Sequence, residues 1–527
     1  MGLELGPILS FRGLKGDTKR PWRMSVLIVR DRAEIDPSLE WQAAGPGPAP
    51  ATASTKATAT LLATFPDDTP TRQVWRFDFG VTLNQNPQKI SYRIKGIEDE
   101  GSGWEFHVPA KGAIPNMAYT SCTGFSSNKL MQKTEDPYGM VRSLVRQHEG
   151  NPYHLLLMGG DQVYADSMFD TLSQLHDWLP LPRQEKIAHP YTPEMARAVE
   201  QFYRELYVKR WRQKELRELF ASIPTFMMWD DHDIFDGWGS YDPELQRSDV
   251  YHGLFASARD AFCLFQLQLA KDEAHPAKIP GQQAFSLGLN LGPLAILALD
   301  MRSERSDSEV ISQVSWKAAY DWLDTLTGEC THLLVMSSIP VVHPDFTELE
   351  KALSIFPGQQ ELEDDLRDQW NSTPHKQERL RLIHRLLDFS GSRQNRVTLL
   401  SGDVHVGALG VIRDLRSDGG TDQDILQLTS SGIIHPPPQG AALFFLENVV
   451  GKEMSTDRDI SSVMIEFPGT RQFYIGARNW LALEPDAQRR IWANWHVEGQ
   501  RYPYTQVILP VNFEMPKASV GKIGRPA

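Results

Sequence analysis

The sequence predicts an α/β protein that begins with a β-sandwich, and three observations predict it. From about Ile114, short apolar runs alternate with long amphipathic segments; the runs are AYTSC, HLLLMGGD, TFMMWDDHD, LAILALDMR, HLLVMSS and VTLLSGDVH. That alternation belongs to sheets whose strands are joined by helices. Between residues 22 and 108 the runs are β-rich and bounded by turn residues, with no helical period, as in a small sandwich. Polar residues close the later runs, at the position where open α/β sheets carry their sites.

Taken in order, the first twenty residues, MGLELGPILSFRGLKGDTKR, form a short mixed segment without the apolar run or cleavage site of a leader. The runs WRMSVLIVR, ATLLATF, QVWRFDFGVTL, KISYRIKG and WEFHVPA are the predicted strands of the sandwich, and Ala43 to Thr60 is an exposed loop of small and polar residues. Pro193–Phe220 and Glu378–Phe389 place apolar residues three and four apart and are predicted helices. The aromatic-rich tail from Arg471, with RNWLAL, RRIWANWHVEG and YTQVILP, is expected to pack on the rest. The expected domains are therefore 1–112, the sandwich; 113–470, the catalytic domain; and 471–527, a C-terminal segment.

The chain has 527 residues, room for two to four domains. Lys and Arg number 54 against 67 Asp and Glu, a formal charge of −13. That sign argues against nucleic acid or an anionic membrane as a bulk partner, but leaves a small anion open. Three cysteines build no disulfide framework, and no apolar stretch reaches the ~18 residues of a membrane helix. A cytoplasmic protein is expected; a mature form whose leader has been removed fits the same composition. There is no Gly-x-Ser-x-Gly elbow, no Walker loop and no Cys-x-x-Cys pair.

Three strand ends gather carboxylates and imidazoles: Gly160-Asp161 with Tyr164 and Asp166, then Asp230-Asp231-His232-Asp233, then Gly402-Asp403 with His405. One aspartate after a strand is usually a turn or a cap. Three such clusters are ligand chemistry, because each buried charge there needs a partner. The glycines before Asp161 and Asp403 permit close backbone approach to an ion or a phosphate.

With Ser121-Cys122, DQVYAD at 161–166 and its preceding Gly160, WDDHD at 229–233, LDMR at 299–302, SGDVHVG at 401–407, TSSG at 429–432 and RNW at 478–480, the chain resembles the PhoD-like alkaline phosphatases of the metallophosphoesterase superfamily. The resemblance covers roughly residues 115–435. It implies a four-layer α/β/β/α sandwich behind the N-terminal β-sandwich, and metal-dependent hydrolysis of phosphate esters by a metal-activated water. It further implies that Asp161 bridges two metal ions, with Cys122, Tyr164 and His405 on the first and Asp231 and Asp403 on the second. His232 would face the substrate as general acid or transition-state stabiliser.

The departures sort the metals. Where the superfamily begins with Asp-x-His, this strand ends in Ser121-Cys122-Thr123, and Ser337-Ser338 stand where a later histidine is expected. A thiolate, phenolate, imidazole and carboxylate set suits Fe(III), whereas a nearly all-oxygen second site suits Ca²⁺. Asp236 can share or replace the role of Asp231. Arg302 is either a phosphate clamp or the partner of Asp300 or Glu304. Lys129 is a second clamp candidate whose plainer reading is an exposed side chain. Cys263 and Cys330 read as core residues, His343 and His435 as loop histidines able to enter the pocket, and Trp229, Trp238 and Trp480 as core or cleft walls. The substrate is expected to be a small phosphate ester. Two alternatives stay open: a diesterase dedicated to a lipid, nucleotide or polymer, and a non-catalytic, metal-stabilised binding protein.

Overall fold

The structure is a computed structural model that describes residues 3–14, 21–44, 54–97, 103–342, 375–415, 424–438, 454–511 and 513. His343 lies outside them.

All six apolar runs from Ile114 onward are strands, and they fall into two sheets. Met117–Thr120, Leu155–Gly159 and Thr225–Met228 are adjacent and parallel in the first. Leu294–Ala298, His332–Ser337, Arg396–Ser401 and Ile425–Ser430 are parallel neighbours in the second. The two sheets face each other. Leu294, Ile296 and Ala298 of one strand pack into the core shared with the first sheet, while their alternates Ala295 and Leu297 pack with the helices Gln313–Asp324 and Lys376–Arg393. A two-residue side-chain period puts one strand's apolar residues on both faces, which is why these runs read as continuous rather than alternating.

Helix starts follow the sequence chemistry. The Thr192 hydroxyl accepts from Met195 N at 3.2 Å ahead of Pro193, and Ser248 and Ser312 cap the helices Asp249–Phe265 and Gln313–Asp324 in the same way. The helix predicted over Pro193–Phe220 is two, Pro193–Trp211 and Lys214–Ser222, broken where Gln213 turns to an extended ψ of 138°. Leu216, Leu219 and Phe220 then pack inward, so the apolar period survives the break and hides it.

The N-terminal region differs from expectation in connectivity. Its strands do form two layers: Trp41 and Phe106 of the four-stranded sheet pack on Phe79, with ring centroids 5.3 and 6.2 Å apart. But the other layer is not separate. Leu3–Leu14 pairs in parallel with Thr225–Met228 and antiparallel with Trp22–Asp31, followed outward by Arg72–Val81 and Thr58–Phe65. On the opposite flank Asn479–Pro485 pairs with Met117–Thr120, followed by Ile491–Val497 and Tyr504–Ile508. One ten-stranded sheet thus runs from the N-terminal strands through the three site-bearing strands to the C-terminal ones, across both expected boundaries at 112 and 470. The strand Leu3–Leu14 is obscured in the sequence by Gly6, Pro7 and Gly13, which interrupt its period at bulges. Among the described residues, no helix is long and apolar enough to cross a membrane.

Candidate metal centre

The candidate residues sit where parallel strands end. Cys122 follows Thr120 by two residues, Asp161 follows Gly159 by two, and Asp231 follows Met228 by three. Asp403 and His405 arrive from the second sheet, after Ser401. A close seam joins the two sheets here, where a Cβ on Gly402 would lie 2.4 Å from Ser121 Oγ, and two strand ends of the first sheet meet as closely, where one on Gly160 would lie 2.7 Å from Asp230 Cβ. Cys122, Asp161, Asp403 and His405 all hold φ between 53° and 68°. Four non-glycine residues in the left-handed region within one cluster store strain that a site, rather than a scaffold, explains.

Three groups of donors converge. Cys122, Asp161 and His405 form one; Asp161, Asp230, Asp231 and Asp403 form another; Asp231, His232 and Asp236 form a third, with ligand atoms inside each group within 4.8 Å of one another. Asp161 belongs to the first two. The Tyr164 hydroxyl lies 3.3 Å from His405 Nε2, beside the first group. Asp230, adjacent in sequence to the expected Asp231, joins the second group, and Asp236 lies in the third with Asp231.

The electrostatics mark an incomplete charge balance. Burial raises Asp161 well above the usual carboxylate range, and neighbouring Asp230 and Asp231 add to the push against His232. Burial, reinforced by Asp161, likewise raises the Cys122 thiol, which donates to Asp161 Oδ2 at 3.4 Å. Burial also lifts Tyr164 and holds His405 well below the ordinary imidazole value. Asp161 Oδ1 is buried and accepts no hydrogen bond from the described residues. Thiol, phenol, neutral imidazole and a half-engaged carboxyl side by side fit cations, which take these donors deprotonated.

Arg302 corrects an expectation. Its side chain is fully buried; Nε donates to Asp230 Oδ1, Nη2 lies 3.2 Å from Asp231 Oδ1, and Nη1 donates to Trp238 O at 3.2 Å. Among the described residues its side chain pairs with Asp230 and Asp231 rather than with Asp300 or Glu304, and it braces these two candidate ligands from beneath. Burial alone would raise Asp231, yet Arg302 and His232 outweigh it and keep this carboxylate ionised. Lys129 is exposed on the short helix Asn128–Lys133, and Trp229, Trp238 and Trp480 are buried packing residues.

Several residues that the sequence shows only as motif members or loop residues support the site. Asp166 accepts from His232 Nδ1 at 2.9 Å, and against the cost of burial Asp166 and Asp231 raise His232 well above its ordinary value. Asp233 accepts the N–H groups of Gln162, Val163 and Asp230, tying two strand ends together. His435 stacks on His405 with centroids 3.7 Å apart, and burial lowers it to about 3. Ser431 Oγ contacts Cys122 Sγ at 3.1 Å and accepts from His405 N at 3.0 Å. Asn479, inside the RNW piece, donates to Ser431 O and accepts from Ser430 Oγ, so the C-terminal strand supports this corner.

Comparison with known proteins agrees with the motifs. The family model of the PhoD-related phosphatases matches residues 86–356 and 348–458, well over half of the chain. The chain belongs to that family. An uncharacterized protein of Saccharomyces cerevisiae, YGR266W, is 29% identical over 399 residues, 64% of this chain and 56% of that protein. The chain thus spans about half the length of this curated relative. Among solved structures, PhoD superposes over 95% of this chain and 88% of its own, with a TM-score of 0.55 at 14% identity, a likeness of fold. PPD1, a purple acid phosphatase from yellow lupin (Lupinus luteus) seeds, reaches a TM-score of 0.49 at 10% identity over 95% of this chain and 74% of its own, too distant to support an argument.

Proposed function

We propose that this chain is a metal-dependent phosphoesterase whose centre holds two cations. The carrying observation is that Asp161 lies in both donor groups at once. On this reading Cys122, Tyr164, Asp161 and His405 hold the first ion, with Fe(III) a match to their anionic thiolate, phenolate and carboxylate donors. Asp161, Asp231 and Asp403, with Asp230 or Asp236 at hand, hold the second, and the all-oxygen set suits Ca²⁺. The face-to-face sheets with helices outside them support a four-layer α/β/β/α arrangement. The free, largely buried cysteines suit a reducing cytoplasm.

Bound cations supply positive charge for the phosphoryl oxygens and for making a nucleophile from water near neutral pH. The chain's own residues do the rest. Asp166 takes the Nδ1–H of His232 and favours the imidazolium, leaving Nε2–H as the proton for the departing alkoxide. Arg302 keeps Asp231 anionic from below. His435 stacked on His405 fixes the plane of that ring.

The test is metal analysis of the purified protein with assays on p-nitrophenyl phosphate and bis-p-nitrophenyl phosphate, before and after chelation. Two metals per chain and chelator-sensitive turnover are expected, and the ratio of the two rates sets mono- against diester preference. Asp161→Asn should lose metal and turnover together. Full activity in that variant would remove the bridging role.

A further inference from the structure

A cleft of about 400 Å³ lies between the helix Gly139–Gly150 and the C-terminal hairpin of Ile491–Val497 and Tyr504–Ile508. The volume is within the range of small-molecule sites. Its polar groups divide into two kinds. Glu484 and Asn494 are already engaged: Glu484 accepts from Asn151 Nδ2 at 2.7 Å, Asn494 Nδ2 at 2.8 Å and the Tyr153 hydroxyl at 3.4 Å. The two arginines are not held in this way. Arg146 has no ion pair among the described residues, and Arg501 rests only over the ring of Tyr502, 5.3 Å from its centroid. Gln147 and Gln500 add amide groups, and Tyr502 is 71% exposed at the rim.

We propose that this cleft binds a small anion carrying phosphate groups. Arg146 and Arg501 both line the hollow, guanidinium is the side chain that matches the paired oxygens of phosphate, and they line it in a chain of formal charge −13. The lone carboxylate among the lining residues is dispersed over three donors, so it opposes such a ligand weakly. His496 is stacked flat on Trp480 at 4.1 Å and held near pKa 4 by burial; it presents a neutral ring edge rather than a third charge. The site is distinct from the ligand cluster. Asn479 supports that cluster at one end of its strand, and Glu484 is five residues on, about 17 Å away at the usual rise per residue.

Titration calorimetry with inorganic pyrophosphate on the full chain tests this, in an Asp161→Asn background so that any uptake at the ligand cluster is common to all arms. We expect one pyrophosphate per chain, weakened fivefold or more by Arg146→Gln with Arg501→Gln. Both arginines are exposed, so the double variant should melt at the parent temperature. Arg146→Lys with Arg501→Lys keeps the charge and loses the forks, and should weaken binding less than the glutamine pair. A change below fivefold in the glutamine pair, absence of binding in the parent arm, or equal competition by sulfate at matched ionic strength would overturn the proposal.

Discussion

At the scale of single residues, His232 and Asp166 separate proton donation from metal binding. His232→Ala should lower kcat by ~10²–10⁴-fold, the usual worth of a positioned acid, with metal content retained. Loss of metal in that variant would move His232 into the ligand set, where its proximity to Asp231 and Asp236 makes the question real. Asp166→Asn leaves a partner that cannot stabilise the imidazolium, so the basic limb of the pH–rate profile should shift down and the rate fall ~10–100-fold. An unshifted limb would make Asp166 a merely structural neighbour. Most of the expected donors were legible in the sequence because each follows an apolar run at a short, fixed distance. Arg302, His435 and Asp230 were visible as residues, but not in the parts they play. Their roles come from what another strand places opposite them, and a lone arginine after a strand looks the same whether it faces solvent or two buried aspartates.

At the scale of elements, the site depends on turns that only particular residues can make. Gly160 sits at φ 113° with Asp230 Cβ 2.7 Å from where a methyl would be. Gly160→Ala should therefore destabilise the fold by ~1–3 kcal/mol and lower metal affinity, read by urea denaturation and metal titration in parallel. A variant with parental metal affinity would show that the turn can relax without moving Asp230. A different group of side chains sets the acid limit. Where the strand Trp104–Val108, the helix Gly139–Gly150 and the start of Leu155–Gly159 meet, His148 and His154 are buried, and burial lowers them to about 4 and about 3. Their Nδ1 atoms accept the N–H groups of Tyr153 and Asn116, which a protonated ring cannot do. The unfolded chain takes up these protons below about pH 6.5 and the folded one does not. Their contribution is thus complete above that pH and declines as pH falls toward 4. The urea midpoint should drop between pH 7 and pH 5, and more shallowly in His148→Gln; identical slopes would count against the assignment. Strand identities were legible here because parallel buried strands are long apolar runs. The break at Gln213 was not, since two helices packing the same way share one period.

At the scale of the whole molecule, the boundaries read from composition are places where sequence character changes, not where the structure divides. A β-rich stretch followed by an alternating one suggests two units, and nothing local reveals that Ser10 pairs with Thr225 or Leu481 with Tyr119. Those pairings make both flanks part of the framework that presents the site. A chain ending before Asn479 should lose both the neighbour of Met117–Thr120 and the bonds to Ser430 and Ser431. We expect it to accumulate as insoluble protein, and a soluble, metal-binding truncation would refute that dependence.

The same arrangement governs how the protein can be made. During synthesis the strand Met117–Thr120 emerges roughly 360 residues before the strand that covers its open edge. At ~5–20 residues per second that interval is on the order of 20 to 70 s. For all of it, an apolar strand bearing one of the ligands waits with its backbone groups uncapped. Expression yield should therefore respond to chaperone supply and to slower growth temperature more than the finished protein's stability would suggest.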